Sequence, residues 1–329
     1  MHFIFILGLI FSFIITYITT PFVRNLSLKK GLLDMPNDRK DHKIPIVRLG
    51  GISIFSGFII SNSAFFTISA LAGDYIFVNK QFLILLLGVI IFFLIGLTED
   101  LFENIDPILR LFIQFASSSL IWSQGLRING ISLNIFGNSD NNLIFSDFIS
   151  LIFTSIFIVG IVNAINWIDG LDGLAGGISL ISLTTMAFMI TPSYIFVSFC
   201  LIGSCVAFLR FNYHPASIIM GDGGSYLLGF SLASLSIIYS SASNSQNLEG
   251  IINLPAIVFL LFVPLVDMVR VIFTRIFNGY SPFYPDKIHF HHVLRDKGFN
   301  YKMIIFIFYF FSIISCVISS FIIKQNLNT

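Results

Sequence analysis

The chain has 329 residues, of which 56% are hydrophobic and only 11% are charged, and its net charge is +1. Soluble domains carry about 25% charged residues, and disordered chains combine low hydrophobicity with high net charge, so both classes are excluded. A net charge this close to zero also provides no basic surface for nucleic acid, so we expect no nucleic-acid partner. The composition, with 39 Phe, 10 Tyr and 2 Trp, is that of a polytopic membrane protein in a lipid bilayer.

Ten apolar runs, separated by polar segments, are candidates for membrane-spanning helices. They cover residues 2–23, 50–72, 82–98, 108–122, 143–163, 174–191, 194–210, 225–240, 251–272 and 303–323. Because ten spans use about 200 residues, little chain is left for a separate soluble domain. We therefore predict one all-α integral membrane domain over residues 1–329, with about ten transmembrane helices.

The Lys and Arg residues collect on one side of this layout. All but three of the 18 lie on the side of the first loop, and the exceptions are Lys80, Arg127 and Lys324. Since loops rich in Lys and Arg remain in the cytoplasm, both termini are predicted to lie outside. Most acidic residues and the clustered histidines share the cytoplasmic side, which indicates that the chemistry takes place there.

Two adjacent carboxylates, Glu99 and Asp100, end the third predicted span. Neighbouring carboxylates repel each other unless they share a cation or a proton. Their hard oxygens suit Mg²⁺, which commonly bridges carboxylates to the phosphates of a substrate. The alternative is a solvated acidic helix end.

A regular polar repeat follows the fifth predicted span, formed by Asn163, Asn166, Asp169 and Asp172. Each step of three residues turns a straight α-helix by 300°, so the first and last side chains would lie on opposite sides. The helix must therefore tighten or open here, which Gly170 and Gly173 permit. This predicts a polar pocket below the headgroups, and the alternative is a generic turn rich in Asn, Asp and Gly.

Two further motifs lie at predicted cytoplasmic ends. MGDGGS (220–225) precedes the eighth span, where backbone N–H groups and the helix dipole favour a phosphate and Asp222 could hold a bridging metal. The alternative is that Asp222 is an N-cap. The loop before the last span holds His289, His291 and His292, which could bind a pyrophosphate, a sugar or a transition metal, or could be unconnected. The chain offers no cysteine cluster in support of zinc.

Together with HKIPIVRLGG (42–51), these motifs resemble the polyprenyl-phosphate N-acetylhexosamine-1-phosphate transferase family, of the glycosyltransferase family 4 type. The patterns NxxNxxDGxDGL and GDxGS, in this order, are highly specific. The stretch HFHHVLRDKG is similar to the HxHHxL form of the undecaprenyl-phosphate GlcNAc-1-phosphate transferase branch. The phospho-N-acetylmuramoyl-pentapeptide transferase branch, which remains the alternative, typically has consecutive histidines there.

The resemblance implies transfer of an N-acetylhexosamine-1-phosphate from a UDP-N-acetylhexosamine to undecaprenyl or another polyprenyl phosphate, with release of UMP. It implies Mg²⁺, with Mn²⁺ as a substitute, because two anions must meet at the membrane surface. It further implies a multi-pass protein of the plasma (inner) membrane with a cytoplasmic active site, and it is compatible with a homo-oligomer.

The resemblance also assigns roles to individual residues. The catalytic residues would be Glu99, Asp100, Asp169 and Asp172. The metal ligands would be Asp222, Asp100 and Asn166. The substrate-binding residues would be Asn163, Asn166, Lys43, Arg48, His289, His291 and His292.

The chain departs from the family's usual motif at one position, and two other functional classes remain as alternatives, an inactive scaffold and a transporter. The family usually has two aspartates where this chain has Glu99 and Asp100, and an offset of roughly 1 Å can cost about 10²-fold in rate. This departure is the support for an inactive membrane scaffold. A secondary transporter would place ionisable groups near the bilayer midplane, but the centres of the predicted spans are nearly free of charge. The deepest pair, Asp267 and Arg270, lies near the inner end of the ninth span, and we expect the two to neutralise each other at i,i+3.

Overall fold

The computed structural model of the chain describes residues 2–35, 45–71, 80–102, 105–135, 142–188, 192–241, 250–282 and 287–327. Lys43, one of the predicted substrate-binding residues, lies outside these ranges. Most of the described chain is helical. Helices α1 to α12 are His2–Lys30, Gly51–Leu71, Lys80–Leu101, Pro107–Gln124, Asp147–Ile168, Leu174–Ala187, Pro192–Asn212, Gly221–Ser241, Leu254–Leu260, Phe262–Phe277, Phe290–Asp296 and Tyr301–Leu327.

Each of the ten predicted apolar runs contains at least one of these helices. Within the described ranges, six helices are long and apolar enough to cross a bilayer, namely α1, α2, α3, α5, α7 and α12. Helix α6 is also apolar but has 14 residues, fewer than the roughly 20 that a span needs. The chain is therefore a helical membrane protein, while the count of ten spans and the orientation remain predictions.

The chain from 251 to 272 is not the single helix that the sequence predicted. Strand β3 (Ile251–Asn253) comes first, and α9 and α10 then meet at a bend of 89°. Pro264 lacks the N–H that would bond to the carbonyl of Leu260 in a continuous helix, so the helix breaks here. Ser182 Oγ donates to that carbonyl at 3.1 Å and satisfies it inside the bundle.

Helix α8 lies at the centre of the bundle and packs against α2, α3, α5, α6 and α9. Nearly all of its described side chains are buried, and Ser231, Ser234 and Ser236 donate to the carbonyl four residues earlier. Because protein surrounds α8 on most sides, it needs no continuous apolar surface for lipid. It can therefore begin with the charged and glycine-rich GDGGS segment.

A small sheet lies at the end of the bundle where α4 ends and α5 begins. Strand β1 (Gly130–Ser132) is antiparallel to β2 (Asn142–Ile144) and parallel to β3. The all-α prediction is thus correct for the membrane bundle but missed this sheet, because strands of three residues show no readable alternation of apolar and polar residues.

The opposite end of the bundle collects the predicted site residues. Helices α2, α4, α6 and α8 begin there, and α3, α5 and α7 end there. The segments that join these helices therefore converge on one surface, and α11 and the start of α12 cover part of it.

Candidate active site

A cavity of about 750 Å³ opens at this end of the bundle. Six predicted site residues line it, namely Arg48, Asn166, Asp169, Asp172, Asp222 and His292. Two groups of residues surround the cavity. The acidic cluster consists of Asp34, Arg48, Asp100 and Asp222, and the histidine segment covers residues 289–295.

The acidic cluster is built around the N-terminus of α8. The backbone N–H groups of Asp222 and Gly223 both donate to the carboxylate of Asp100, at 2.8 Å each. The sequence predicted a phosphate at this terminus, but the anion found there is the Asp100 carboxylate, which satisfies these donors. Gly96 allows the close approach of α3, since a Cβ on it would lie 2.2 Å from the carbonyl oxygen of Asp222.

Arg48 joins the three carboxylates of the cluster. Its Nη2 lies 2.6 Å from Asp222 Oδ2, its Nε 3.0 Å from Asp100 Oδ1, and its Nη1 3.9 Å from Asp34 Oδ1. The side chain of Asp100 is only 1% exposed, so an ionised carboxylate there requires a partner within the protein. The carboxylate of Asp222 is the main cause that raises the pKa of Arg48, and the guanidinium therefore remains charged.

The donor set of the cluster fits a divalent cation. Asp100 and Asp222 offer hard oxygens, and one guanidinium already bridges them. Asn166 donates its amide to Asp222 Oδ1 at 2.7 Å and to Ser225 Oγ at 3.0 Å, so in this arrangement it supports the carboxylate. The described ranges contain no group of three His, Cys, Asp or Glu placed to hold a metal, so a cation here would need further oxygens from substrate or water.

Glu99 faces a different part of the structure from Asp100. Its Oε2 accepts from Arg110 Nη1 at 3.2 Å, and both of its oxygens lie 3.1 Å from the hydroxyl of Tyr226. The sequence left a shared cation or proton and a solvated helix end as alternatives, and the structure pairs each carboxylate with its own arginine, Arg110 for Glu99 and Arg48 for Asp100. They separate because consecutive helical residues point about 100° apart.

The helix end at 163–172 opens, as the three-residue spacing predicted. Helix α5 ends at Ile168, and Gly173, with a positive φ of 76°, precedes α6 after a short turn. Asn163 does not lie at the cavity. It is 6% exposed and donates to Gln114 of α4 at 2.7 Å, which ties α5 to α4.

The two aspartates of this turn have different surroundings. Asp169 is half-buried within the cavity, and the loss of bulk water, followed by repulsion from Asp222, raises its pKa well above the ordinary value. Asp172 Oδ2 lies 2.8 Å from His214 Nδ1. His214 stacks on Tyr301 with ring centroids 4.0 Å apart, and the Tyr301 hydroxyl donates to the carbonyl of Asp172. The turn thus forms a polar and aromatic side of the cavity.

Helix α10 holds the start of the histidine segment. His289 Nδ1 lies 2.7 Å from Asp267 Oδ2, and the N–H of Phe290 donates to Asp267 Oδ1 at 2.7 Å. The expected pairing of Asp267 with Arg270 is therefore replaced, because Arg270 donates to the carbonyl of Ile288 and stacks over the Phe290 ring. Asp267 therefore orients His289 and does not form the expected ion pair with Arg270.

His291 is a buried side chain whose two ring nitrogens both lack a hydrogen-bond partner among the described residues. It is 2% exposed. Burial, followed by His292 and His289, lowers its pKa to about 2, so the ring is neutral. It packs against Gly170, where a Cβ would lie 2.7 Å from its Nε2. An unpaired buried polar group costs about 1–3 kcal/mol, so a bound ligand or a water molecule that pairs with this ring would be stabilising.

His292 and Arg295 line the cavity beside this ring. Arg295 Nη2 lies 2.9 Å from His292 Nδ1. Because a guanidinium only donates, Nδ1 accepts, and the proton of a neutral His292 ring is therefore on Nε2. The pair brings a fixed positive charge to the histidine side of the cavity.

Five polar residues at the cavity had no role predicted from the sequence, although one of them, Arg295, lies within the HFHHVLRDKG stretch. They are Asp34, Asn212, His214, Arg295 and Tyr301. The available signal was the polar segment FNYHPA (211–216) just before GDGGS. Asn212 accepts from the N–H of Gly173 at 3.0 Å and donates to the carbonyl of Ile218 at 3.0 Å, which joins that segment to the start of α6.

Comparisons with known proteins agree with these features. The family model described as glycosyl transferase family 4 matches residues 82–240. A probable undecaprenyl-phosphate N-acetylglucosaminyl 1-phosphate transferase of Bacillus subtilis is 30% identical over 324 residues, covering 97% of this chain and 85% of the relative. A decaprenyl-phosphate N-acetylglucosaminephosphotransferase of Mycobacterium tuberculosis is 30% identical over 316 residues, covering 90% and 77%.

An undecaprenyl-phosphate alpha-N-acetylglucosaminyl 1-phosphate transferase of Escherichia coli K12 is 28% identical over 298 residues, covering 89% of this chain and 77% of the relative. The family-model match includes the turn after α5 and the start of α8, which line the cavity. With the motifs, the membrane bundle and the full-length similarity in agreement, the chain belongs to glycosyl transferase family 4.

Proposed function

We propose that the protein transfers N-acetylglucosamine 1-phosphate, or a related N-acetylhexosamine 1-phosphate, from a UDP-linked donor to undecaprenyl or another polyprenyl phosphate and releases UMP. The observation that carries this proposal is the cavity at the end of an apolar helix bundle, with the acidic cluster and the histidine segment around it. An acceptor with a phosphate head and a long apolar chain needs a polar site beside a bilayer. Relatives named for such a transfer cover most of this chain.

The reaction joins two anions. An oxygen of the lipid phosphate attacks the phosphorus atom that carries the sugar, and a new P–O bond forms. The bond to the bridging oxygen of the diphosphate breaks, and UMP leaves with that electron pair. The protein must therefore neutralise charge and position both phosphates in line, which is the usual demand of phosphoryl transfer.

In this proposal Asp222 and Asp100 are the residues that would hold Mg²⁺, for which Mn²⁺ could substitute. The ion would supply positive charge to neutralise the diphosphate. Asn166 keeps the Asp222 carboxylate in place through its hydrogen bond. Asp100 has a second task, because it also anchors the N-terminus of α8.

The turn after α5 forms the nucleotide side of the site. Asp169 and Asp172 supply carboxylate acceptors for the N–H and O–H groups of uridine. The stacked His214 and Tyr301 add an aromatic surface at the same wall. This arrangement offers both the hydrogen bonds and the apolar contact that recognition of a nucleoside requires.

The histidine segment forms the diphosphate and sugar side. The neutral His291 ring, whose nitrogens have no partner among the described residues, can pair with a donor phosphate or sugar hydroxyl without adding charge. Arg295 provides the charge instead, next to His292. His289 is oriented by Asp267, so its Nε2 has a defined direction.

In this proposal the acceptor lipid binds on the side of the site that contains Glu99 and Arg110. Helix α4 begins there, and its Ile108 and Phe112 side chains are 74% and 70% exposed, as expected of a surface that contacts lipid chains. Arg110 provides a cation for the lipid phosphate, and Glu99 fixes its guanidinium. We further propose that this end faces the cytoplasm across the plasma (inner) membrane, since it carries most of the basic residues.

Incubation of the purified protein with undecaprenyl phosphate, Mg²⁺ and a panel of UDP-sugars tests the proposal. We expect UMP release with UDP-N-acetylglucosamine or a close relative, and a lipid-linked sugar diphosphate as the second product. Release only with the UDP-muramoyl-pentapeptide would favour the peptidoglycan branch. Absence of UMP with every donor, in folded protein, would contradict the proposed function.

A further inference from the structure

The position of Arg48 has a consequence for how a divalent cation can bind. Its guanidinium lies 2.6 Å from Asp222 Oδ2 and 3.0 Å from Asp100 Oδ1. These are oxygens of the two carboxylates that the proposed function gives to the metal. A Mg²⁺ ion binds oxygen at about 2.0–2.1 Å, so it cannot share this space with a guanidinium in the same contacts.

The backbone of Arg48 is fixed to the start of α8. The N–H of Ile219 donates to the carbonyl of Val47 at 2.9 Å, and the N–H of Gly50 donates to the carbonyl of Ile219 at 3.0 Å. A movement of the guanidinium therefore requires rotation of the long side chain and no change in the main chain. The side chain is 34% exposed and lines the cavity, so one side of it is open.

A second anchor for the guanidinium lies on the cavity side. Asp34 Oδ1 is 3.9 Å from Arg48 Nη1, and Asp34 is held by backbone hydrogen bonds with Ile46 in both directions, at 2.8 and 3.2 Å. Both Asp34 and Arg48 line the cavity. A guanidinium that leaves Asp222 can thus move toward Asp34 and keep a carboxylate partner.

We propose that Arg48 is an internal cation that occupies the divalent-cation position and is displaced when the ion binds, turning toward Asp34 to contact the donor diphosphate. The proposal rests on the proposed function, in which Asp222 and Asp100 hold the ion. In this role Arg48 prevents repulsion between the carboxylates before the ion arrives. It then offers the bidentate donors that suit a phosphate. It also weakens cation binding, because the ion must break the existing pairs.

The test measures Mn²⁺ binding by electron paramagnetic resonance on the purified full-length protein in detergent, without donor or acceptor. We expect Arg48→Gln to bind Mn²⁺ about tenfold or more tightly than the parent, because loss of a charged hydrogen-bonded pair removes the competitor. Arg210→Gln, an exposed arginine outside the cavity, is the matched charge control and should leave the affinity unchanged. Asp222→Asn should abolish the binding.

Two further measurements show whether Arg48 competes with the cation or only supports the structure. The thermal midpoint of Arg48→Gln should be lower than that of the parent without Mn²⁺ and should recover when Mn²⁺ is added. The affinity for UDP-N-acetylglucosamine in saturating Mn²⁺ should fall about tenfold, opposite in sign to the change in metal affinity. Should Arg48→Gln not fold, Arg48→Lys, which keeps the charge but cannot bridge both carboxylates, should show an intermediate Mn²⁺ affinity.

Mn²⁺ binding by the folded Arg48 variants that is equal to or weaker than that of the parent would overturn the proposal, as would absence of Mn²⁺ binding in both the parent and the variants. The titration needs no turnover, so this failure is distinct from failure of the proposed function, which would appear as absence of UMP release by the parent.

Discussion

The acidic cluster and the histidine segment belong to the same site, yet their polar groups are satisfied in different ways. Asp100 accepts two backbone N–H groups and an arginine, and Asp222 accepts from Asn166 and Arg48. His291, in contrast, is buried, and within the described ranges neither of its ring nitrogens has a hydrogen-bond partner. The acidic cluster therefore contributes to the stability of the bundle as well as to chemistry. The His291 ring contributes no such hydrogen bond from the described residues to that stability.

This contrast predicts that substitutions in the acidic cluster affect activity and stability together. Asp222→Asn removes a metal ligand and the ion pair with Arg48, so UMP release should fall by about 10³-fold or more. The thermal midpoint in detergent should also fall. UMP assays over a Mg²⁺ titration, with thermal unfolding as the second readout, measure both. Near-parent turnover at low Mg²⁺ would mean that Asp222 is only part of the helix N-terminus.

On the histidine side, activity and stability should separate. His291→Leu should reduce UMP release by about 10²-fold because donor contacts are lost, while the thermal midpoint stays unchanged or rises because two unpaired nitrogens are removed. The matched control is His289→Leu, which breaks the pair with Asp267 and should lower the midpoint. A clear loss of stability in His291→Leu would contradict the ligand-binding role.

Substitutions of Glu99 test whether this carboxylate, the chain neighbour of Asp100, is needed for activity as the acidic cluster is. Glu99→Gln keeps the shape but deletes the charge that holds Arg110, so activity should fall by about tenfold to 10²-fold. Glu99→Asp retains the charge but has less reach toward Arg110 and Tyr226, so measurable but lower activity is expected. Both are measured by UMP release with folding checked in detergent. A Gln variant as active as the parent would show that Asp100 alone is needed.

The contact between His291 and the turn after α5 can be changed at Gly170, without replacing the histidine or an aspartate of the turn. Gly170→Ala introduces a Cβ that would lie 2.7 Å from His291 Nε2, so the ring must shift and UMP release should fall about tenfold. Gly160→Ala is the control, because nothing lies within 4 Å of its added Cβ. Equal activities of the two variants would show that the position of His291 does not matter.

The smallest expected effect is on the acid dependence of stability. The pKa of His291 is lowered to about 2 in the folded protein, against about 6.5 for an ordinary histidine, so the unfolded chain binds more protons between these values. Stability should therefore fall as pH drops below about 6.5, by at most about 1.4 kcal/mol per pH unit from this group. Thermal midpoints from pH 8 to pH 5 should decline less steeply in His291→Leu than in the parent. Parallel curves would contradict this assignment.

Much of the fold was predictable because it depends on local properties of the chain. The length of each apolar run indicates a helix in a bilayer, and all ten runs contain helix. The polar motifs stand at helix ends because charged groups are costly within the bilayer. The three-residue spacing from Asn163 to Asp172 also predicted the opening of α5, since it conflicts with the geometry of a straight helix.

The break between α9 and α10 was harder to predict from the sequence. Pro264 is visible in the sequence, but a proline can also sit in a kinked span when neighbours satisfy the freed carbonyl. Here the hydroxyl of Ser182 in α6, 78 residues away in the chain, donates to the freed carbonyl. The two helices meet at 89°. The size of the bend therefore depends on packing between distant elements.

The sequence alone determined that this is a helical membrane protein with carboxylates, amides and imidazoles at helix ends. Only the tertiary structure decided which of these groups become partners. Glu99 and Asp100 are neighbours in the chain but bind different arginines, and Arg48 came to the centre of the cluster. The reason is physical, because ion pairs and hydrogen bonds depend on which helix ends meet. That depends on close packing at residues such as Gly96, whose effect is felt 126 positions away at Asp222.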